Sequence, residues 1–337
     1  MPKLTPGKFG RRVLLHGILA GAAYPFIVTA RRAWAESSAG FADMHAHPVV
    51  NLRAAPMPAA SALLAAMDAR GIQRTILSPP PVTRAEEGVT YGAADLSSLA
   101  SQAPGRLAFS AGGDSLNPML QRAPAGPVPT DLLEAFRTTA LTIARAGAAS
   151  FAELGAEVLP SGKGMPGGHS HQTTPADHPL LLALTEIAAQ FAMPIGLHME
   201  AITGGAAENI SAMERLLASN RKARIVWLHA GWDRTGQRSV ALMLDLLQRH
   251  ANLFMTIKSD RLGDIANSPL GGTGHLQPAW AAMLQAFPDR FVMGSDQFYD
   301  REPDRIDAVR RIVRALPADL AQKIGRDNPA AIYRLPA

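Results

Sequence analysis

The stretch Gly40-Phe41-Ala42-Asp43-Met44-His45-Ala46-His47-Pro48 decides how the fold is interpreted. A short apolar run leads into two histidines that are separated by one residue. Side chains at positions i and i+2 of a β-strand point to the same face, so His45 and His47 would direct two imidazoles into one space where the strand ends. Neutral imidazole is the commonest protein ligand of zinc and related ions. The stretch therefore predicts part of a metal site at the end of a strand.

Apolar runs alternate with amphipathic stretches along the rest of the chain, a pattern typical of parallel βαβ units. Eight such pairs predict an α/β fold, a closed (β/α)8 TIM barrel with parallel strands. The alternative is an open doubly wound sheet, which is disfavoured because no glycine-rich phosphate-binding loop follows any strand. After the first strand, we predict strands at 72–78, 106–110, 149–154, 194–198, 224–229, 252–257 and 290–296. Helices are predicted at 59–70, 93–103, 131–145, 177–191, 209–219, 239–250, 280–287 and 304–315, with Asp177 as an N-cap and a proline-rich loop at 117–129.

Four later strands also carry metal-binding side chains. Barrel enzymes place their chemistry at the C-terminal ends of the strands, and there the sequence has Glu153, His198, His229 and Asp296. One buried histidine is usually satisfied by a backbone carbonyl, but six such residues at one end of a barrel indicate a metal site. The chain has no cysteine, so thiolate ligands and disulfides are excluded and any metal must be held by His, Asp, Glu or a modified Lys.

The first 35 residues differ in kind from the rest. Arg11-Arg12 is followed at once by an apolar run of about 18 residues and then by the small-residue site Ala33-Trp34-Ala35. This pattern predicts a twin-arginine signal at residues 1–35, cleaved near Ala35 or Ala39, and a barrel domain at 40–337. The glycines and the proline of the run disfavour the alternative, a membrane anchor formed by an uncleaved leader. We expect a periplasmic or secreted protein that uses the twin-arginine export machinery.

The leader also explains the formal net charge of +5. Six of the 33 basic residues lie in the first 35 positions, where no acidic residue occurs, so the remainder is nearly neutral. Nucleic-acid binding requires a basic surface, and no nucleic-acid partner is expected. The expected partner is a small-molecule substrate.

The chain resembles the amidohydrolase superfamily over about residues 40–335. The resemblance rests on Asp-x-His-x-His-Pro at 43–48, Ile-Gly-Leu-His at 195–198, Leu-His-Ala-Gly at 228–231 and Gly-Ser-Asp at 294–296. The segments 287–296 and 328–335 are most similar to the amidohydrolase 2 branch, which includes aminocarboxymuconate-semialdehyde decarboxylase. Glu153 resembles instead the strand-four glutamate of TatD-type deoxyribonucleases, where many amidohydrolases have a carboxylated lysine.

This resemblance implies that His45, His47 and Asp296 bind a first divalent ion, with His198 as a ligand or close neighbour. His229 would bind a second ion or polarise the substrate. Glu153 would bridge two ions or pair with a barrel arginine, which leaves one ion and two ions both open. Zn²⁺ is expected, with Mn²⁺ and Fe²⁺ as alternatives, because histidine and carboxylate sites accept all three.

The expected activity is hydrolysis of a small-molecule amide, ester or lactone. A divalent ion lowers the pKa of its bound water to about 7; Asp296 would accept the proton of that water and His229 would stabilise the oxyanion. The alternatives are a decarboxylase with a cationic clamp for its substrate, a TatD-like nuclease and a catalytically silent binding barrel. Candidate substrate contacts are Trp232, Arg234, Lys258, Gln297 and Tyr299, and His169 and His171 belong to a loop, a lid or an outer metal site.

Overall fold

The structure, a computed structural model, describes residues 40–86, 88–160, 171–259 and 267–335. The predicted leader, its cleavage positions Ala35 and Ala39, and His169 lie outside the described residues. None of the helices within the described ranges is long and apolar enough to cross a membrane.

The strands form one parallel sheet that returns on itself. They are β1 (Phe41–His47), β2 (Ile72–Leu77), β3 (Leu107–Phe109), β4 (Ala111–Gly112), β5 (Phe151–Gly155), β6 (Ile195–His198), β7 (Ile225–Ala230), β8 (Leu253–Ile257), β9 (Phe291–Met293) and β10 (Gln297–Phe298). Their order is β3-β2-β1-β9-β8-β7-β6-β5-β4, and β10 pairs with β1.

The strand order begins with β3 and ends with β4, and these two strands are separated in the chain by Ser110 alone. They therefore form one continuous strand position, which closes the barrel. The amide of Ser110 donates to Leu77 of β2, and the amide of Ala111 donates to Ser150 at the start of β5. The sheet therefore has eight strand positions, and the predicted (β/α)8 barrel is confirmed. The strands read as nearly continuous apolar runs because both faces of a barrel strand are buried.

The helices surround the barrel. They are α1 (Ala60–Asp68), α2 (Ala93–Ala100), α3 (Leu116–Arg122), α4 (Thr130–Arg145), α5 (Pro179–Phe191), α6 (Ile210–Ser219), α7 (Val240–Arg249), α8 (Pro278–Ala286), α9 (Asp304–Ala315), α10 (Ala318–Gln322) and α11 (Asn328–Ile332).

Two local predictions were wrong. The predicted loop at 117–129 contains helix α3, because Pro118 lies in the first helical turn, where its missing N–H costs no hydrogen bond. The N-cap of α5 is His178, whose Nδ1 accepts from the amide of Leu180 at 3.2 Å. Asp177 instead accepts from Arg215.

The C-terminal segment closes the bottom of the barrel. Ile332 and Tyr333 pack into a buried cluster with residues of β1, β2, β3, β7 and β9. Arg224 donates to the carbonyl of Ile332 at 2.7 Å, and the amide of Arg334 donates to Ala149. The floor is therefore apolar and filled, and polar chemistry is confined to the C-terminal ends of the strands.

Candidate metal centre

The six side chains that the sequence singled out meet at the C-terminal mouth of the barrel. The ligand atoms of His45, His47, Glu153 and Asp296 all lie within 4.8 Å of one another, and so do those of Glu153, His198 and His229. All six residues are buried. They come from β1, β5, β6, β7 and the turn after β9, and Glu153 belongs to both groups.

The two β1 histidines face the carboxylates from one side. His47 Nδ1 donates to the carbonyl of Ser78 at 2.8 Å, so in the neutral ring the lone pair is on Nε2. That Nε2 lies 3.1 Å from Asp296 Oδ1, and His45 Nε2 lies 3.6 Å from the same oxygen. Phe298 stacks on the His47 ring at 4.5 Å. A nitrogen lone pair and a carboxylate oxygen repel each other unless a proton or a cation lies between them.

Glu153 is surrounded by histidines. His198 Nδ1 donates to its Oε1 at 2.5 Å, while Oε2 lies 3.5 Å from His45 Nε2 and 3.7 Å from His47 Nε2. Burial would raise the pKa of this carboxyl, but His198 and His45 outweigh burial and hold the pKa well below its usual value. Within the described part of the chain, no arginine is among these contacts.

The Gly294-Ser295-Asp296 turn is built around Asp43, the first residue of the Asp-x-His-x-His-Pro motif, for which the sequence predicted no role. Strand β9 ends at Met293, earlier than predicted. The Asp43 carboxylate accepts from the Ser295 amide at 2.8 Å and from its hydroxyl at 2.5 Å. A Cβ on Gly294 would lie 2.9 Å from Thr256 Cβ and 3.1 Å from His45 Cβ, so only glycine fits there. Asp296 then adopts a φ of 57°. A signal for Asp43 was available, because it occupies the same strand face as His45, two residues earlier.

Two cationic side chains bind the second oxygen of Asp296. Lys258 Nζ donates to Oδ2 at 2.6 Å and Arg305 Nη1 donates to Oδ2 at 2.8 Å, while Oδ1 faces the histidines. Burial alone would raise the pKa of Asp296, but Lys258 and Arg305 outweigh it and hold the pKa well below its ordinary range. Arg305 is in the first turn of α9 and was not predicted.

His229 supplies a neutral imidazole. Burial lowers the pKa of His229 well below its usual value, and nearby Lys258 acts in the same direction although Asp296 opposes it. Among the described residues neither ring nitrogen of His229 has a hydrogen-bond partner, and the same is true of His45 Nε2. Buried polar atoms are normally paired, so unpartnered imidazole nitrogens beside two carboxylates fit a divalent cation.

The predicted substrate contacts separate into two groups. Lys258 and Trp232 lie at the centre: Lys258 Nζ is 4.0 Å from the Trp232 ring centroid, and the Trp232 and His229 rings are 6.1 Å apart. The side chains of two other candidates are bound elsewhere: Arg234 binds Glu200 and the carbonyls of residues 159 and 160, and Gln297 donates to the carbonyls of residues 298 and 302. The amide of Tyr299 donates to the carbonyl of residue 47. His171 is exposed and belongs to neither ligand group.

Comparison with known proteins identifies a family. The model of a family described as amidohydrolase matches residues 42–335. A structure of 2,6-dihydroxybenzoate decarboxylase with bound 2,6-dihydroxybenzoate has a TM-score of 0.51 and 14% identity, and the match covers 88% of this chain and 99% of that chain. A structure of D-aminoacylase with a binuclear metal centre has a TM-score of 0.52 and 12% identity, with 88% and 77% covered. No curated protein matches the sequence significantly. At these identities the structural likenesses establish the shared fold.

Proposed function

The chain belongs to the amidohydrolase family, and from that membership we propose that it is a metal-dependent enzyme that decarboxylates a small hydroxylated carboxylic acid. The observation that carries the proposal is the pair of cationic side chains, Lys258 and Arg305, on one oxygen of Asp296. The similarity of the barrel to a decarboxylase with a bound dihydroxybenzoate supports it.

The pairing of Asp296 argues against hydrolysis as the main activity. Hydrolysis requires a group that accepts a proton from water. Oδ2 of Asp296 already accepts from Lys258 and Arg305, and Oδ1 faces His45 and His47, so both of its oxygens are engaged. Decarboxylation consumes no water, so it has no need of this proton acceptor.

The charges of the centre favour an acidic substrate. Lys258 and Arg305 balance the charges of the Glu153 and Asp296 carboxylates before any metal binds, and the proton that His45 carries, with its pKa of about 9, is displaced by the metal. A divalent ion among these groups would therefore leave the mouth of the barrel positively charged. A positive site in a cleft with low-dielectric walls concentrates anions, and a substrate carboxylate supplies the missing negative charge.

The residues that would hold the metal are His45, His47, Glu153 and Asp296, with His198 and His229 beside them. We propose Zn²⁺ first, with Mn²⁺ and Fe²⁺ as alternatives, because histidine and carboxylate ligands accept all three. When bound, such an ion supplies a Lewis acid that holds a substrate oxygen and stabilises negative charge developing on it.

Side chains of the protein would orient the substrate acid and supply the proton that replaces its carboxyl group. The half-buried Trp232 ring forms a wall of the site next to His229, and Lys258 lies against that ring. When the bond to the carboxyl carbon breaks, its electron pair stays on the substrate carbon and CO₂ leaves. We assign the proton that this carbon takes up to Nζ of Lys258, which is hydrogen-bonded to Asp296 Oδ2 and regains a proton from solvent.

Hydrolysis is the second candidate, and one observation favours it. Glu153 belongs to both groups of potential ligands, so its two oxygens could bridge two ions. D-aminoacylase, which shares the barrel, has a binuclear metal centre. The count of bound ions per chain therefore bears on the choice.

The test compares the two reactions on matched substrates. The metal-loaded protein is incubated with hydroxybenzoic acids ¹³C-labelled at the carboxyl carbon, and with amides, esters and lactones of the same acids. We expect labelled CO₂ and bicarbonate, and deuterium on the product carbon in D₂O. Acid release from the amides, esters or lactones without CO₂ formation would overturn the proposal and favour hydrolysis.

A variant pair tests the role of Lys258. Lys258→Met should lower the turnover at least about 100-fold, the usual effect of removing one preorganised electrostatic group. Lys222→Met, a change at an exposed lysine, is the matched control and should leave turnover unchanged. Wild-type turnover in Lys258→Met would contradict the assignment.

We also propose that the leader directs export. Protein recovered from the periplasm should begin near residue 36 or 40, and replacement of Arg11 and Arg12 by lysine should retain the precursor inside the cell. Export unaffected by that double change would contradict the twin-arginine route.

A further inference from the structure

A buried arginine lies behind the metal centre and is not used by the proposed reaction. Arg238 lies in the loop between β7 and α7 and is 3% exposed. Its guanidinium stacks on the Trp227 ring, 3.7 Å from the ring centroid. Nη1 donates to the carbonyl of Leu228 at 2.5 Å, and Nη2 donates to the carbonyl of Trp227 at 3.2 Å. Burying an arginine is costly unless its donors are used. Nε has no partner among the described residues, while the two terminal nitrogens hold the two residues that precede His229.

The backbone of His229 is unusual at the same point. His229 has a φ of 67°, in the left-handed region that residues other than glycine rarely adopt. Its amide donates to Thr256 Oγ1 at 2.9 Å, and its carbonyl accepts from the amide of Trp232 at 3.1 Å. Such a conformation persists only where the surroundings impose it. Arg238 contacts the backbone immediately before His229, and Thr256 contacts the amide of His229 itself.

The ring of His229 has no hydrogen bond of its own to orient it. Among the described residues, both ring nitrogens lack partners. His47 differs, because its ring is fixed by the carbonyl of Ser78 and by stacking on Phe298. The His229 ring packs edge-on against the rings of His198 at 4.6 Å and Trp232 at 6.1 Å, and with no hydrogen bond to fix it, its direction depends also on the backbone that carries it.

We infer that Arg238 and Thr256 are positioning residues for His229, and that they aim its imidazole at Glu153 by fixing the backbone on either side of it. The inference rests on the proposed function only where His229 is treated as a metal ligand. It concerns the geometry of the chain and is independent of which reaction the enzyme catalyses.

The first experiment measures metal affinity in two matched variants. Arg238→Lys keeps the charge but removes the fork that reaches two carbonyls. Arg224→Lys is the control, because Arg224 also donates to a backbone carbonyl but does so at the floor of the barrel. In competition with a chelator, Arg238→Lys should bind Zn²⁺ or Co²⁺ at least about tenfold more weakly, the usual effect of losing a residue that orients a ligand. Arg224→Lys should bind within about twofold of the wild type.

A second pair keeps the test decisive if Arg238→Lys does not fold. Thr256→Val keeps the shape of the side chain but removes the oxygen that accepts from His229, and Thr256→Ser retains that oxygen. Thr256→Val should weaken metal binding and shift the absorption bands of the Co²⁺ protein, while Thr256→Ser should keep the metal affinity and the absorption bands of the wild type. Wild-type affinity and an unchanged Co²⁺ spectrum in both Arg238→Lys and Thr256→Val would overturn the inference.

Nuclear magnetic resonance of the metal-free protein separates this inference from the proposed function. The ring ¹⁵N and ¹H signals of His229 are assigned by their loss in His229→Gln. Arg238→Lys and Thr256→Val should shift these signals while those of the His178 ring, at α5, stay in place. If the His229 signals shift but no decarboxylation is found, the positioning role is upheld and the proposed reaction is refuted. If decarboxylation is found but the His229 signals do not move, the proposed reaction is upheld and the positioning role is refuted.

Discussion

Replacing Asp43 by asparagine tests the physical account of the turn that carries Asp296. Asp43 is fully buried and accepts two hydrogen bonds from Ser295. Burial raises its pKa from 3.8 to about 6, although the Ser295 hydrogen bonds and His45 act in the opposite direction. The folded protein therefore binds the Asp43 proton more tightly than the unfolded chain does.

The magnitude and the sign follow from this difference. One pKa unit corresponds to about 1.4 kcal/mol, so the raised pKa corresponds to about 3 kcal/mol of folding free energy. Below about pH 4 the carboxyl is protonated in both states and this stabilisation is fully present. It is lost as the pH rises through the folded-state pKa of about 6. Asparagine is neutral throughout and its oxygen can still accept from the Ser295 amide, so Asp43→Asn does not undergo this loss.

Chemical denaturation of the metal-free protein at several pH values between 4 and 7 measures the effect. The unfolding free energy of Asp43→Asn relative to the wild type should rise by about 2 kcal/mol across this window, less than the full value because the unfolded carboxyl is already largely ionised at pH 4. Asp319→Asn, at an exposed position in α10, removes one negative charge without any change in burial, so it controls for the change in net charge. A difference between Asp43→Asn and the wild type that is constant over the window would refute the reasoning.

Three further predictions concern the centre and its support. Asp296→Asn should abolish turnover, because Lys258 and Arg305 lose their counter-charge, while metal content by elemental analysis is largely kept by the other ligands; full activity would contradict this. Burial would lower the pKa of His45, but Asp296 and Glu153 outweigh burial and raise this pKa to about 9, so a bound metal must displace a proton from His45. Metal binding should therefore release protons, and metal affinity should increase as the pH rises to about 9. Calorimetry in buffers of different ionisation enthalpy measures this, and pH-independent affinity would count against it. Tyr333→Ala should lower the unfolding free energy by about 3 kcal/mol through the cavity it leaves in the floor, without changing metal affinity; a loss of metal affinity equal to that of Arg238→Lys would contradict the separation of floor and mouth.

Much of the barrel could be predicted because its signals are local. A parallel strand buried on both faces is a short apolar run, and a helix on the outside is amphipathic, so each element is visible in its own residues. The errors arose where a residue has uses that depend on its position within an element. Pro118 by itself favours a loop, but the first turn of α3 accepts it; Asp177 by itself favours an N-cap, but its neighbour His178 fills that role.

Arg234 and Arg305 show the same limit at the mouth. Arg234 follows His229 closely in sequence and was a candidate substrate contact, yet its guanidinium binds Glu200 and the carbonyls after β5. Arg305 had no sequence signal, because nothing in the first turn of α9 indicates that it reaches back to Asp296. Which partner a long charged side chain takes is decided by the elements that the closed barrel brings beside it.

The sequence by itself determined the barrel, the end that carries the chemistry and the six candidate ligands, because side-chain alternation and strand polarity follow from the chain locally. The tertiary structure decided how those residues are used. Asp43 holds Ser295 across 252 positions of sequence, Glu153 is shared between two groups of histidines, and Asp296 is ionised between two cations. Burial, charge and hydrogen bonding act through distances in space, and closure of the barrel alone set those distances.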